Sequence, residues 1–284
     1  KGDGWRNFAA TRLVVEDIRL RERLMSPHPG STPRRRSIDR RAFLSYSATV
    51  IAGVACSSGF SPDSGKARLS ARPGLPSGSL ELGVHRLGLG GERDGTVYAP
   101  PGFLPGEGIG LLLLFHGAGG SAGPFVNAIR PLADEHGLLV LAPDSRATTW
   151  DVIGRGEFGA DVDFVDEALG WAFDRATVDP SRIWVAGFSD GGTYALSLGL
   201  INGDLFRKVV GLSPGYFVAD ERTGKPPVLL THGVNDIILP IQNASRAIRA
   251  SLQSLGYDVT LIEYDAGHQL TQEMAEQAFD WLTA

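Results

Sequence analysis

From residue 80 onward, apolar runs alternate with segments of mixed polarity. Residues 80–88 and 95–99 read as short opening strands. Residues 108–115 hold four leucines in succession, the pattern of a strand buried on both faces, and residues 137–142 repeat it. Within 164–173, Phe164, Ala168, Leu169, Trp171 and Ala172 recur near helical spacing. The pattern then predicts a strand over 182–188, a helix over 191–200, strands over 209–212, 227–231 and 259–264, and helices over 242–255 and 271–282. Alternation of this kind implies an α/β fold: a mostly parallel sheet with helices on both faces. Parallel crossovers are right-handed, so the carboxyl ends of the strands share one edge, and ligands bind there.

The N-terminal part does not follow this pattern. Residues 1–56 carry 11 Lys/Arg against 5 Asp/Glu, whereas the whole chain of 284 residues has a formal charge of −5. The body is therefore strongly acidic, which argues against a nucleic-acid partner. Arg40-Arg41-Ala42-Phe43-Leu44 is followed by an uncharged, mostly apolar or small stretch ending at Ala55. A basic region and then a short apolar region is the layout of an export signal. The arginine pair resembles the twin-arginine motif, an address that is read by a receptor. The expectation is export, to the periplasm or beyond the cell. Cys56, the single cysteine, is followed by Ser57-Ser58-Gly59 like a lipoprotein cleavage site, although Gly53 stands where a leucine is typical. Two outcomes stay open: a lipid anchor at Cys56, or ordinary cleavage nearby that leaves Cys56 without a role. Residues 1–24 fit no signal, which makes Met25 a candidate start. Residues 57–79, rich in Ser, Gly and Pro from 60 on, read as a flexible linker to a catalytic domain over 80–284.

The strand ends carry the candidate chemistry. Gly187-Phe188-Ser189-Asp190-Gly191 sits between a predicted strand and a predicted helix. G-x-S-x-G in that context is a nucleophile elbow, which makes Ser189 the candidate nucleophile. In this chain order the acid and then the histidine follow the serine. His268, just after the last strand, is the candidate base. Asp236, after the penultimate strand, is the candidate acid, with Asp265 as a competitor that more simply supports the loop. Phe115-His116-Gly117-Ala118-Gly119-Gly120 follows the leucine-rich strand. Its Ala118 N–H and the N–H of Asp190 are the candidate oxyanion donors, while His116 and His232 read as structural. A phosphate-binding reading of this loop is disfavoured, because no lysine follows and the spacing fits neither nucleotide fingerprint. Asp161 and Asp163, at a helix start, read as caps.

Together these motifs, with His232–Pro240 (HGVNDIILP) and Gly267-His268, resemble the phospholipase/carboxylesterase branch of the α/β-hydrolases. The polyhydroxybutyrate depolymerase and feruloyl esterase branch is similar. The resemblance covers about residues 95–284. It implies ester hydrolysis through an acyl-enzyme, on a small or polymeric ester substrate, with neither metal nor cofactor. A serine at position 189 disfavours the dienelactone hydrolases, which use cysteine, and the haloalkane dehalogenases, which use aspartate. The segment 213–225 is too short for a large cap domain, so an open site is expected. Trp150, Tyr216 and Phe217 are candidate pocket walls, with ordinary packing as the alternative. Two other functions remain open at this point: a serine peptidase of the same fold, and a non-catalytic binding protein on that scaffold.

Overall fold

The computed structural model of this chain describes residues 63–284. The export signal, Met25 and Cys56 lie outside the described residues. Among the described residues, eight strands form one sheet: β1 (Gly83–Arg86), β2 (Gly95–Ala99), β3 (Ile109–Phe115), β4 (Leu138–Pro143), β5 (Val178–Phe188), β6 (Lys208–Leu212), β7 (Val228–Gly233) and β8 (Val259–Tyr264). Their order across the sheet is β1-β2-β4-β3-β5-β6-β7-β8. β1 and β2 pair antiparallel, and so do β2 and β4, whereas every pair from β4 to β8 is parallel. This is the α/β-hydrolase fold.

The helices are α1 (Ala122–His136), α2 (Asp151–Gly154), α3 (Ala160–Phe173), α4 (Asp190–Ile201), α5 (Ser245–Ser254) and α6 (Gln272–Thr283). β3 is buried along its whole length, which is why its sequence is continuously apolar. Its alternate residues Leu111, Leu113 and Phe115 join one core cluster with side chains of α3, α4 and α5. Leu112 and Leu114 point to the opposite face and are equally buried.

Two expectations need correction. The pattern marked no helix over residues 122–136, yet α1 is the longest helix among the described residues, with Pro131 inside it. Its buried face of Ala122, Phe125, Val126, Ile129, Leu132 and Ala133 holds it against the sheet despite Gly123, Pro124 and Pro131. Sheet packing here outweighs local propensity.

The described part of the expected linker is also no free tether. A 3-10 turn spans Ser64–Ala67, and the chain after it is pinned to the body. The fully buried Asn202 accepts the N–H of Leu69 at 2.9 Å and donates to the carbonyl of Ala67 at 2.9 Å. Asp166 accepts from the backbone of Ser70 and Ala71, both at 2.8 Å. The carbonyl of Asp174 accepts from Ser77 and Gly78. Composition alone reads as flexible here because every anchoring partner lies about a hundred residues away.

Candidate active site

The carboxyl ends of β3, β5, β7 and β8 bring four loops to one edge. At the end of β5 the chain reverses into α4 through Ser189, at φ 57° and ψ −120°. This conformation is strained for a residue with a side chain and persists only where the surroundings over-determine it. Here they do. A Cβ on Gly187 would lie 2.1 Å from the carbonyl oxygen of Gly191. A Cβ on Gly191 would lie 2.2 Å from the carbonyl oxygen of Phe115. Only glycine permits strand, turn and neighbouring strand to approach so closely. The backbone N–H of Ser189 donates to the carbonyl of Leu212 at 2.8 Å, which ties the turn to β6.

Ser189 Oγ lies 2.8 Å from Nε2 of His268, and Nδ1 of His268 lies 2.6 Å from Oδ2 of Asp236. The structure thus brings the three candidate residues into one hydrogen-bonded chain. His268 sits on the loop after β8, its ring against Phe188 with 5.2 Å between centroids. Asp236 is nearly inaccessible, and its Oδ1 accepts the N–H groups of Ile238 at 2.9 Å and Leu239 at 2.8 Å. Burial by itself would raise its pKa, but hydrogen bonds from His232, His268 and the Leu239 N–H outweigh it and hold Asp236 well below the usual carboxylate range. Asp265 does not reach this chain; it accepts from the Asn235 side-chain amide at 2.7 Å and fastens the loop.

The loop after β3 is equally fixed. A Cβ on Gly117 would lie 3.4 Å from Cβ of Ser189, so this loop borders the nucleophile. The carbonyl of Gly117 accepts from His116 Nδ1 at 2.7 Å and from Gly120 N–H at 3.0 Å. In a planar trans peptide the following N–H, that of Ala118, points the opposite way. Neither that N–H nor the N–H of Asp190 has a protein acceptor among the described residues. The Nε2 of His116 accepts from Ser145 N–H at 3.0 Å and faces a nitrogen of Arg93 at 3.3 Å. Both neighbours donate, so Nε2 carries no proton and Nδ1 does. Burial holds the pKa of His116 below its ordinary value. Arg93 and Ser145 carry no sequence signature, because their support acts only through the fold.

Trp150 is not a pocket wall. It is fully buried, donates from Nε1 to the carbonyl of His116 at 2.9 Å and stacks on Tyr194, so it props the loop from beneath. Phe217 packs partly buried against the core. Tyr216 is more open. Burial, and secondarily the charge of Asp190, raises its pKa to about 12. Thr149 donates to the Asp190 carboxylate at 2.5 Å. A cavity of about 210 Å³ opens next to it, lined by Thr148, Thr149, Asp151 and Arg155 among others but by no triad residue. Asp151 and Asp161 cap one another's segments: Asp161 accepts the N–H of Asp151, and Asp151 accepts the N–H of Asp161. Among the described residues, no group of three or more His, Cys, Asp or Glu is placed to hold a metal ion.

A strained serine on a strand–helix turn, an imidazole on its Oγ and a buried carboxylate behind that imidazole define an α/β-hydrolase with a serine nucleophile site. Residues 162–284 match the Phospholipase/Carboxylesterase family. The chain is 32% identical over 170 residues to the esterase-named NocK of Nocardia uniformis subsp. tsuyamanensis, covering 56% of this chain and 49% of NocK. It is 24% identical over 223 residues to feruloyl esterase C of Emericella nidulans, covering 67% of this chain and 80% of that enzyme. It therefore spans about half the length of the first relative and four fifths of the second. Among solved structures, the esterase PE8 superposes with a TM-score of 0.55 at 24% identity, over 66% of this chain and 96% of PE8.

Proposed function

We propose that this chain is an exported serine carboxylesterase that hydrolyses esters of apolar acyl or aryl acids. The observation that carries the reading is the Ser189–His268–Asp236 chain, with contacts of 2.8 and 2.6 Å. In the acylation half, Ser189 Oγ attacks the ester carbonyl carbon while His268 Nε2 takes its proton. Asp236 stabilises the imidazolium that forms. The carbonyl oxygen, now an oxyanion, is met by the N–H groups of Ala118 and Asp190, each worth roughly 3 kcal/mol in the transition state. The tetrahedral intermediate collapses as the C–O bond to the alcohol breaks, and His268 returns its proton to the leaving oxygen. A water then attacks the acyl-enzyme with His268 again as base. The acid leaves and Ser189 is regenerated.

Two observations support an apolar acyl or aryl group. The loop that carries Asp236 exposes Ile237 and Ile238. The relative from Emericella nidulans is named a feruloyl esterase. Replacing Ser189 should lower p-nitrophenyl ester turnover by roughly 10⁵-fold and abolish fluorophosphonate labelling. A Ser189→Ala protein with wild-type turnover sinks the reading. A panel of acyl esters of graded length, including a feruloyl ester and short polyester oligomers, then fixes the substrate.

Export rests on Arg40-Arg41 and the apolar run behind them. The double substitution Arg40→Lys, Arg41→Lys should hold the protein in the cytoplasm, and unchanged delivery would remove that part of the proposal. The mass of the mature N-terminus decides between a lipidated Cys56 and plain cleavage.

A further inference from the structure

His232 reads in the sequence as a structural histidine, yet its ring reaches the same carboxylate oxygen as His268. It ends β7 and is fully buried. Its Nε2 lies 2.8 Å from the carbonyl oxygen of Leu239 and 3.2 Å from Oδ2 of Asp236. Both neighbours can only accept, so Nε2 must carry a proton. Its Nδ1 lies 2.7 Å from the hydroxyl of Ser245, itself fully buried at the start of α5. A hydroxyl can donate to a neutral ring or accept from a charged one, so Ser245 satisfies Nδ1 without drawing the proton away from Nε2.

Oδ2 of Asp236 thus receives the Nδ1–H of His268 from a loop, and the Nε2–H of His232, donated chiefly to the Leu239 carbonyl, also faces it from a strand at 3.2 Å. The strand side is rigid: His232 stands in register with Glu263 of β8 and cannot move without the sheet. The loop side is the candidate general base. We propose that His232 is a positioning residue of the triad. It fixes the carboxylate oxygen that orients His268, and it draws off part of the negative charge that His268 would otherwise meet. The proposal rests on the esterase reading for its kinetic readout. The other charged groups nearby are Glu263, ion-paired to Arg246 beyond His232, and Asp265, held by Asn235. Neither carboxylate touches Oδ2.

Removing the His232 donor should do two things at once. The carboxylate turns less well defined, so kcat falls with little change in KM. It also keeps more of its charge, which favours the imidazolium and moves the acid limb of the kcat/KM profile upward. A merely structural residue would lower stability without moving that limb. His232→Asn and His232→Gln separate the two effects, since a glutamine amide reaches about as far as Nε2 and an asparagine amide only about as far as Nδ1. We expect His232→Asn to lose kcat by roughly 30-fold and to shift the limb by about 0.5 to 1 pH unit, one unit being about 1.4 kcal/mol. His232→Gln should stay within about fivefold of wild type, with the limb in place. Equal kinetics in the two folded variants, or an unmoved limb in His232→Asn, overturns the proposal. Nitrogen NMR of the wild-type ring gives the answer without a variant or a substrate. The Nε2–H form near neutral pH is expected, and an Nδ1–H neutral ring overturns the proposal even if ester turnover is normal. Absence of ester turnover in the wild type counts instead against the esterase reading.

Discussion

At the scale of single residues, the site depends on where protons and lone pairs are held. His116 illustrates this best. Its Nδ1–H pins the Gly117 carbonyl, and so aims the Ala118 N–H in the opposite direction. Substituting phenylalanine keeps the ring but removes both nitrogens. The His116→Phe enzyme should lose roughly 10- to 100-fold in kcat, below the loss of a whole oxyanion donor, with KM nearly unchanged. A rise in KM at constant kcat would instead mean that the loop only binds substrate. His116 also leaves a mark on stability. Burial lowers its folded-state pKa, while an unfolded histidine takes its proton near about 6.5. The unfolded chain therefore binds the extra proton first as pH falls. Stability should be full above about pH 6.5 and decline below it, towards the folded value. Denaturant titrations between pH 5 and 8 should show this slope in the wild type and its loss in His116→Phe. Ser189, Asp236 and His268 were legible from motif and order alone, because strand ends impose their spacing. The proton positions of His116 and His232 were not, since Arg93, Ser145 and Ser245 meet these rings only through the fold.

At the scale of elements, sheet strands could be read from their sequence and surface attachments could not. β3 and β4 announce themselves because both faces are buried, which demands an unbroken apolar run. α1 escaped the pattern because its glycine and prolines mask a sound apolar face. The stretch after Asp63 escaped for a different reason. Its residues are mostly small, polar or basic, and its order comes from Asn202, Asp166 and Asp174 on the body, with Ala67 and Leu69 buried in the core. Asn202→Ala makes the difference measurable. It orphans the Leu69 N–H and the Ala67 carbonyl, two groups whose loss costs about 2–4 kcal/mol together. The variant should unfold at lower denaturant and be cut more readily between residues 63 and 79, while kcat/KM for a short ester stays the same. A wild-type protein already cleaved there, with no change in Asn202→Ala, would restore the flexible linker.

At the scale of the whole molecule, the candidate acid and an exposed apolar surface share one loop at the end of β7. Asp236 orients His268 with Oδ2, while its Oδ1 accepts the N–H groups of Ile238 and Leu239. That second set of bonds makes the turn after Asp236 rigid, and the turn displays Ile237 at 87% exposure and Ile238 at 55%. Two adjacent exposed isoleucines in an otherwise acidic body leave apolar surface in water, at about 25 cal/mol per Å² of burial forgone. A rigid apolar rim beside the triad loses that cost when an apolar group of the substrate covers it. Leu239 of the same turn packs against the segment between β6 and β7, its side chain about 3.5 Å from where a Cβ on Gly215 would stand. Aspartate at the rim should therefore separate substrates by the size of their apolar part. Ile237→Asp and Ile238→Asp should leave acetate ester turnover within about twofold and lower kcat/KM for an octanoyl or feruloyl ester by roughly tenfold, the worth of one or two buried methylene groups. Because both side chains are exposed, the unfolding free energy should not change by more than about 0.5 kcal/mol. An equal loss on all esters would place the effect on Asp236 and His268. No loss on any would show that substrate approaches from the Thr149 side, past Asp190, and leaves the rim to another partner.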